Sequence, residues 1–195
     1  MKIFLIRHGE TEENAMQIVQ GHSYGKLSEK GREQARKVAE RLSKERIDVI
    51  FSSPLERADL TAQEIAKRHG LKVIYDDRLK ERGFGSIEGI SRDEYFEMMR
   101  TSGVPKHKFK PEGGESYEDM QERVGSFYRM LLEKYHGKSV AVVAHGTLNR
   151  VFLSVVGHVS IDNAHDVQQD NTCVNIFEVV DGKPIIRLVN CTDHL

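Results

Sequence analysis

Two segments of this chain end an apolar run with a histidine and a glycine. Ile3 to Ile6 leads into Arg7-His8-Gly9-Glu10-Thr11, and Val140 to Ala144 leads into His145-Gly146-Thr147. A third run, Val49 to Ser52, is followed by Ser53 and, one helical turn on, by Arg57. An imidazole can serve as nucleophile, base or cation, and a guanidinium offers a fork of donors to an anion. If the three runs are strands of one open α/β sheet, these side chains share the carboxyl rim, where ligands bind in such sheets. Singly, each is weak evidence: a histidine at a strand end is usually a hydrogen-bonded structural residue, and Arg57 alone would be a solvated helix charge. Together, Arg7, His8, Arg57 and His145 put four potential cations on one rim with no carboxylate between them. An anion is needed to neutralise that arrangement. At about 4 Å and an effective dielectric near 20, each cation attracts a phosphate charge by roughly 4 kcal/mol before desolvation. Backbone amides at the strand-to-helix junctions, with glycine allowing close approach, favour the same ligand. A phosphoryl group fits this pocket.

The elements that must hold these residues follow from periodicity. Strands are expected at Lys2 to Ile6, Val49 to Ser52, Lys72 to Tyr75, Ser139 to Ala144, Val174 to Val180 and Ile185 to Asn190, alternating with longer stretches of helical period. That alternation is the pattern of an α/β domain on a largely parallel sheet. Ala35, Val38, Ala39 and Leu42 predict an amphipathic helix over Ser28 to Lys44. Ser53-Pro54-Leu55-Glu56 reads as a hydroxyl N-cap, a proline at the first helical position and a glutamate at the third, opening a helix that runs to about Arg68 and ends at Gly70. Ser91-Arg92-Asp93-Glu94 predicts a capping box before a short helix, and Ser116 opens a longer one whose stripe Met120, Val124, Phe127, Leu131 and Tyr135 belongs to the core. Asp181-Gly182 favours a type I′ hairpin, and Pro184 marks an edge strand. Residues 87–115 are richer in Gly, Lys and Pro and poor in core periodicity, so they are expected to pass over the surface as a lid.

Composition narrows the function classes. With 29 Lys and Arg against 30 Asp and Glu over 195 residues, the formal net charge is -1, which excludes a globally basic nucleic-acid binder. At 38% hydrophobic and 30% charged residues the chain can bury one sizeable core, so residues 1–195 are expected to form one domain carrying the 87–115 excursion. The apolar runs are far shorter than the ~20 residues of a membrane span. The first run is cut off by charge before a signal-peptide core could form, which points to a cytoplasmic protein. Cys173 and Cys191 lack CxxC spacing and read as free thiols. His69, His136, His158, His165 and His194 show no metal-ligand spacing and read as surface or structural residues.

Arg7-His8-Gly9-Glu10-Thr11, with Asn14 and Gln20-Gly21 downstream, resembles the signature of the histidine phosphatase superfamily, also called phosphoglycerate mutase-like. Ser52-Ser53-Pro54-Leu55-Glu56-Arg57-Ala58 with Thr61-Ala62 resembles the segment that gives the second phosphate arginine, and Leu79-Lys80-Glu81-Arg82-Gly83-Phe84-Gly85 with Glu88-Gly89 resembles the segment holding the acid. Gly113-Gly114-Glu115-Ser116 is similar to a segment common in the phosphatase branches, and Ala144-His145-Gly146 to the second histidine motif. The motifs keep the family's order and cover nearly the whole chain. The resemblance implies a three-layer α/β/α fold with a mainly parallel central sheet and a small lid. It implies hydrolysis of phosphate monoesters of small metabolites through a phosphohistidine intermediate. On that basis His8 is the nucleophile, Arg7, Arg57 and His145 bind the phosphoryl oxygens with Asn14 in support, and Glu81 is the proton donor. Gln20, Gly21 and Gly146 join them in the phosphate and substrate site. No metal and no cofactor are implied, because the arginines and His145 supply the charge.

Other readings stay open. Glu10, beside His8, is a competing acid that also suits a helix start, and Glu88 in its Gly-flanked turn reads as solvated. His22 and Tyr24 follow the Arg-His motif, and Tyr24 departs from the acidic residue the family often has there. Lys106, His107, Lys108 and Lys110 form a basic cluster that is either solvated charge or an attractor of anionic substrates. A cofactor-dependent phosphoglycerate mutase is the alternative activity, and a catalytically silent phosphate-binding regulator is a third reading. The last expected strand ends a few residues before Leu195, which leaves no tail to enclose the site as a mutase needs. The expected partner is a small phosphorylated metabolite, with neither nucleic acid nor membrane, and the chain is expected to be a monomer or a homodimer.

Overall fold

The computed structural model describes residues 1–23 and 25–195. In chain order the elements are β1 (Lys2–Arg7), α1 (Glu12–Ala15), α2 (Glu29–Leu42), β2 (Val49–Ser52), α3 (Glu56–His69), β3 (Val73–Tyr75), α4 (Arg92–Thr101), α5 (Tyr117–Lys134), β4 (Ser139–Ala144), α6 (Gly146–Val155), β5 (Val174–Val180) and β6 (Lys183–Cys191). Short 3-10 turns cover Asp77–Leu79, Gly85–Ile87 and Ile161–Asp166.

The strands form one sheet in the order β3-β2-β4-β1-β5-β6. The first four are mutually parallel, while β5 and β6 add antiparallel at one side. Strands buried on both faces read as continuous apolar runs, and Ile3 to Ile6 and Val140 to Ala144 are all fully buried. Alternate residues feed opposite layers. Phe4, Ile6, Ala141 and Val143 pack with Val38, Leu42, Ala62 and Ile65 of α2 and α3. Ile3, Leu5, Val140 and Val142 pack with Val124, Phe127, Leu148 and Phe152 of α5 and α6. The result is a three-layer α/β/α architecture with a mainly parallel central sheet.

The helix after β1 thus lies on one face and the helix after β4 on the other. Because β1 and β4 are neighbours, the chain diverges between them and leaves a crevice at their carboxyl ends. The parallel register sets Arg7 opposite Ala144, so the residues that follow, His8 and His145, emerge together there.

Local signals account for most boundaries. Ser28 caps α2 by accepting from Gly31 N, and Ser91 and Ser116 open α4 and α5 with reciprocal capping boxes through Glu94 and Asp119. Gly70 closes α3 in the left-handed conformation at φ 63°. Asp181 and Gly182 both take positive φ, as a type I′ turn requires, and Pro184 lies on the edge strand β6. The expected start of α3 is corrected: its N-cap is Leu55, not Ser53, and no side chain caps it. Ser53 is instead drawn to His145, whose Nε2 lies 2.8 Å from its hydroxyl.

Residues 87–115 carry α4 and a long loop. Ile87, Tyr95, Met99 and Phe109 from this stretch close with Val19 and Phe84 into a small apolar cluster of their own, separate from the two sheet faces.

Candidate active site

His8 is placed by backbone bonds on both sides. Its N–H donates to Ala144 O at 3.0 Å, and its carbonyl accepts from Thr172 N at 3.2 Å and Asn171 Nδ2 at 3.1 Å. Its Nδ1 lies 2.6 Å from Gly9 O. A carbonyl can only accept, so Nδ1 carries the hydrogen and Nε2 keeps its lone pair. Burial, followed by the charges of Arg57 and Arg7, holds the imidazole well below its ordinary pKa of 6.5. The ring is therefore neutral at pH 7.

His145 stands beside it, with ring centroids 5.1 Å apart and planes at 61°. It is fully buried, and its Nδ1 has no partner among the described residues. Burial, Arg57 and His8 push its pKa down as well. Of the four potential cations on this rim, the two histidines are held toward the neutral form and the two arginines carry the charge.

Arg7 donates from Nη1 to Gln169 O at 2.6 Å, and burial lowers its pKa to about 10, which leaves it charged. Arg57, second residue of α3 and 1% exposed, donates from Nη1 to Ser23 O at 3.1 Å and from Nη2 to Gly21 O at 2.7 Å. The Nε atoms of both arginines are buried and have no partner among the described residues. Two buried guanidinium groups with free donors and no carboxylate partner form a site for an oxyanion.

Glu81 lies at the mouth of α6. Its carboxylate accepts from Thr147 N and Leu148 N, both at 3.1 Å, and from Arg82 N at 2.9 Å. The helix N-terminus thus holds the acid through its first free amides. From below, Arg123 of α5 donates to Arg78 O and Lys80 O, both at 2.8 Å, and to Glu81 O at 3.0 Å, while pairing with the Glu115 carboxylate. Glu115 in turn accepts from Gly83 N at 2.8 Å. This interlock explains the glycines of both segments. A Cβ on Gly85, which sits at φ 54°, would fall 2.1 Å from Glu112 O, and one on Gly114 would fall 2.7 Å from Gly83 O. The two turns meet backbone to backbone. The guanidinium of Arg82, fully buried and in no ion pair among the described residues, donates to Glu115 O, Tyr95 Oη and Phe109 O and lies over the rings of Phe84, Tyr95 and Tyr117.

Arg7, His8, Asn14, Gln20, Gly21, Arg57, Glu81 and Gly146 all line one cavity of about 320 Å³. Asn14 is fixed by a capping box with Thr11. His145 is the one expected site residue outside the wall; it backs His8.

Several other readings change. Glu10 binds Lys30 and Ser28 and does not line the cavity. Glu88 is half-buried, and its carboxylate accepts from His22 N, Ser23 N and Phe84 N and staples two loops, a role its sequence position does not reveal. His22 has its Nε2 2.8 Å from Glu81 O. The basic cluster divides, since Lys106 lines the cavity while His107, Lys108 and Lys110 face Asp162, Glu118 and Asp119. Tyr24 lies outside the described residues. Arg92, Arg150 and His165 line the outer cavity and were not foreseen as site residues. The available signal for Arg92 was a cation in the first turn of a helix, where the macrodipole disfavours it.

Residues 3–192 match the family described as histidine phosphatase superfamily (branch 1). Phosphoserine phosphatase 1 of Hydrogenobacter thermophilus is 34% identical over 100% of this chain and 94% of its own length. Phosphoglycerate mutase-like protein 4 of Arabidopsis thaliana is 35% identical over 100% of this chain and 86% of its own. Among solved structures, a mycobacterial glucosyl-3-phosphoglycerate phosphatase in complex with VO3 superposes with a TM-score of 0.90 at 28% identity, covering 98% of this chain and 99% of that one. The phosphoserine phosphatase of Entamoeba histolytica, in complex with 3-phosphoglyceric acid, superposes at 0.87 with 31% identity, covering 99% and 98%.

Proposed function

The chain belongs to the histidine phosphatase superfamily and is a hydrolase of phosphoric monoesters, and from that premise we propose that it acts on small phosphorylated metabolites through a phosphohistidine formed on His8. The observation that carries this reading is the tautomer of His8: Nδ1 is committed to Gly9 O, so the lone pair on Nε2 is free to attack.

In the first half-reaction His8 Nε2 attacks phosphorus in line, and the bond from phosphorus to the ester oxygen breaks. Arg7 and Arg57 hold the equatorial oxygens, where charge is redistributed. Bonding to phosphorus makes the His8 ring cationic, and the arriving dianion offsets the field of the arginines that had kept it neutral. His145, pressed against His8, supports the ring and the phosphoryl group from behind. Glu81 gives its proton to the departing alkoxide. In the second half-reaction Glu81 takes a proton from water, the water oxygen bonds to phosphorus, and the nitrogen-to-phosphorus bond breaks. Inorganic phosphate leaves, and His8 regains its lone pair. Charge on the transferring group is met by guanidinium groups throughout, so the cycle calls on no metal. Residues 87–115 wall the outer cavity and act as the lid that selects the substrate.

The direct test is to quench turnover and look for acid-labile, base-stable phosphate on the protein. It should be present in the wild type and absent from His8→Ala. Rapid interconversion of 3-phosphoglycerate and 2-phosphoglycerate primed by 2,3-bisphosphoglycerate, with little inorganic phosphate released, would replace the phosphatase with the mutase.

A further inference from the structure

The loop that leads into β5, residues 168–173, touches three of the site residues. Gln169 O accepts from Arg7 Nη1 at 2.6 Å, Cys173 O accepts from Arg7 N at 3.2 Å, and Thr172 N donates to His8 O at 3.2 Å. Asn171 bridges His8 to the third residue, Asn14: its Nδ2 lies 3.1 Å from His8 O and 3.2 Å from Asn14 Oδ1. Asn171 does not itself line the cavity, and no step of the mechanism above uses it.

The direction of each bond follows from what the atoms can do. His8 O is a carbonyl and only accepts, so the Asn171 atom facing it is the nitrogen, whose two hydrogens are both spent, one on His8 and one on Asn14. Asn14 Oδ1 also faces Thr11 N, which only donates, at 3.3 Å. The oxygen of the Asn14 amide is thus held from two sides, and its Nδ2 is the donor left for the cavity that Asn14 lines. The bond from Thr11 is long for a hydrogen bond. The bond from Asn171 makes the inverted amide costly, because inversion would set donor against donor at both contacts.

The loop bears a backbone cost at this point. Thr172, fully buried and β-branched, sits at φ 55°. Such a residue in the left-handed region is strained and persists only where its surroundings over-determine it. Here they do: Thr172 Oγ1 donates to Asn171 O at 2.8 Å, and Asp170 is joined twice to Asn190, through Asp170 N to Asn190 Oδ1 at 2.7 Å and Asn190 Nδ2 to Asp170 Oδ2 at 2.8 Å. In this bend the N–H of Thr172 and the side chain of Asn171 converge on the single carbonyl of His8.

We propose that Asn171 is a positioning residue for phosphoryl transfer, which fixes the Asn14 amide with Nδ2 toward the phosphoryl oxygens and ties that amide to the backbone of the nucleophile. It acts through Asn14, since Thr172 N holds His8 O without it. This rests on the reading of His8 and its neighbours as the phosphoryl site, and it adds what sets one of the donors there.

The test is a double-mutant cycle on p-nitrophenyl phosphate. Asn171→Ala should lower kcat/KM about tenfold, the scale of one misplaced hydrogen-bond donor, and should raise the inhibition constant of vanadate by a similar factor. In an Asn14→Ala background the same substitution should cost less than about twofold, the scatter of such cycles, because no amide is left to orient. Asn171→Asp keeps the shape but sets acceptor against acceptor at His8 O and Asn14 Oδ1, so it should be slower than Asn171→Ala. A residue that merely filled space would give the reverse order, and one that merely stabilised the fold would lower kcat and leave the vanadate constant alone. Either of those results, or equal losses in both backgrounds, would overturn the proposal. If Asn171→Ala does not fold, Asn171→Ser takes its place in the cycle with the same expectations. If the wild type does not hydrolyse p-nitrophenyl phosphate, the phosphatase reading fails, and the cycle is run on calorimetric binding of inorganic phosphate. Coupling between Asn14 and Asn171 there upholds the positioning role; additivity, or no binding, overturns it.

Discussion

The inner and outer halves of the cavity are built on different principles. Inside, Arg57 and His145 are essentially inaccessible, and His8 is gripped by backbone bonds from β4 and from the loop before β5. Outside, Phe96 is 53% exposed, and Lys106 reaches His165 through a single contact between two side chains. Positions held by a sheet register cannot drift without unzipping the sheet, so the inner half suits chemistry that demands sub-ångström placement. Positions held by side-chain tips can be exchanged one at a time. On the proposed function, the chemistry would be fixed by the fold and the choice of substrate by its decoration.

That contrast can be broken most severely at His8. His8→Ala should reduce turnover on the order of 10⁵-fold, the scale of removing a nucleophile from a group that acts as a unit; a variant with near-normal steady-state rates would dissolve the distinction. Arg57→Ala should cost about 10² to 10³ in kcat, as for deletion of one oxyanion donor. Glu81→Gln should slow an alkyl phosphate about 10²-fold and p-nitrophenyl phosphate much less, since nitrophenolate leaves without a proton. Equal slowing of the two esters would take Glu81 out of the acid role. On the outer half, Lys106→Ala should change kcat/KM only a few-fold, and the effect should fade with added salt.

The smallest effect concerns stability and pH. His8 and His145 have folded-state pKa values well below 6.5, so between those values and 6.5 the unfolded chain binds protons that the folded chain refuses. Their contribution is complete above pH 6.5 and is lost as the pH falls below it. The melting temperature should accordingly drop from pH 7 to pH 5, with a shallower drop in His8→Asn. His165→Asn, at the outer site, should flatten that slope less.

The inner half was legible because each of its parts is local. Arg7 and His8 end an apolar run, His145 ends another, and parallel pairing brings the two ends together without further information. Helix stripes and serine caps marked α2, α4 and α5 for the same reason. The start of α3 was misplaced because Ser53 has a second suitor, and nothing near Ser53 in the chain reveals that His145 will be its neighbour. The outer half was largely hidden. Arg92 and Arg150 lie 58 positions apart and reach the same cavity only once the excursion has folded back, and His165 reads as an ordinary surface histidine until Lys106 arrives beside it. The stapling role of Glu88 is hidden because its acceptors serve amides from a loop more than sixty residues earlier.

Arg82 joins the two halves. Its guanidinium is fully buried, and its acceptors come from Glu115, Tyr95 and Phe109, on three stretches of the 87–115 segment, while the neighbouring residue is Glu81. Local opening of any one of those stretches leaves the buried cation short of an acceptor, so partial fraying is costly and cooperative opening of the segment is expected. In native-state hydrogen exchange, the amides that Glu81 receives from Thr147 and Leu148 should share one opening free energy with those of α4. The acid and the outer wall would then be lost and regained as a single cooperative unit.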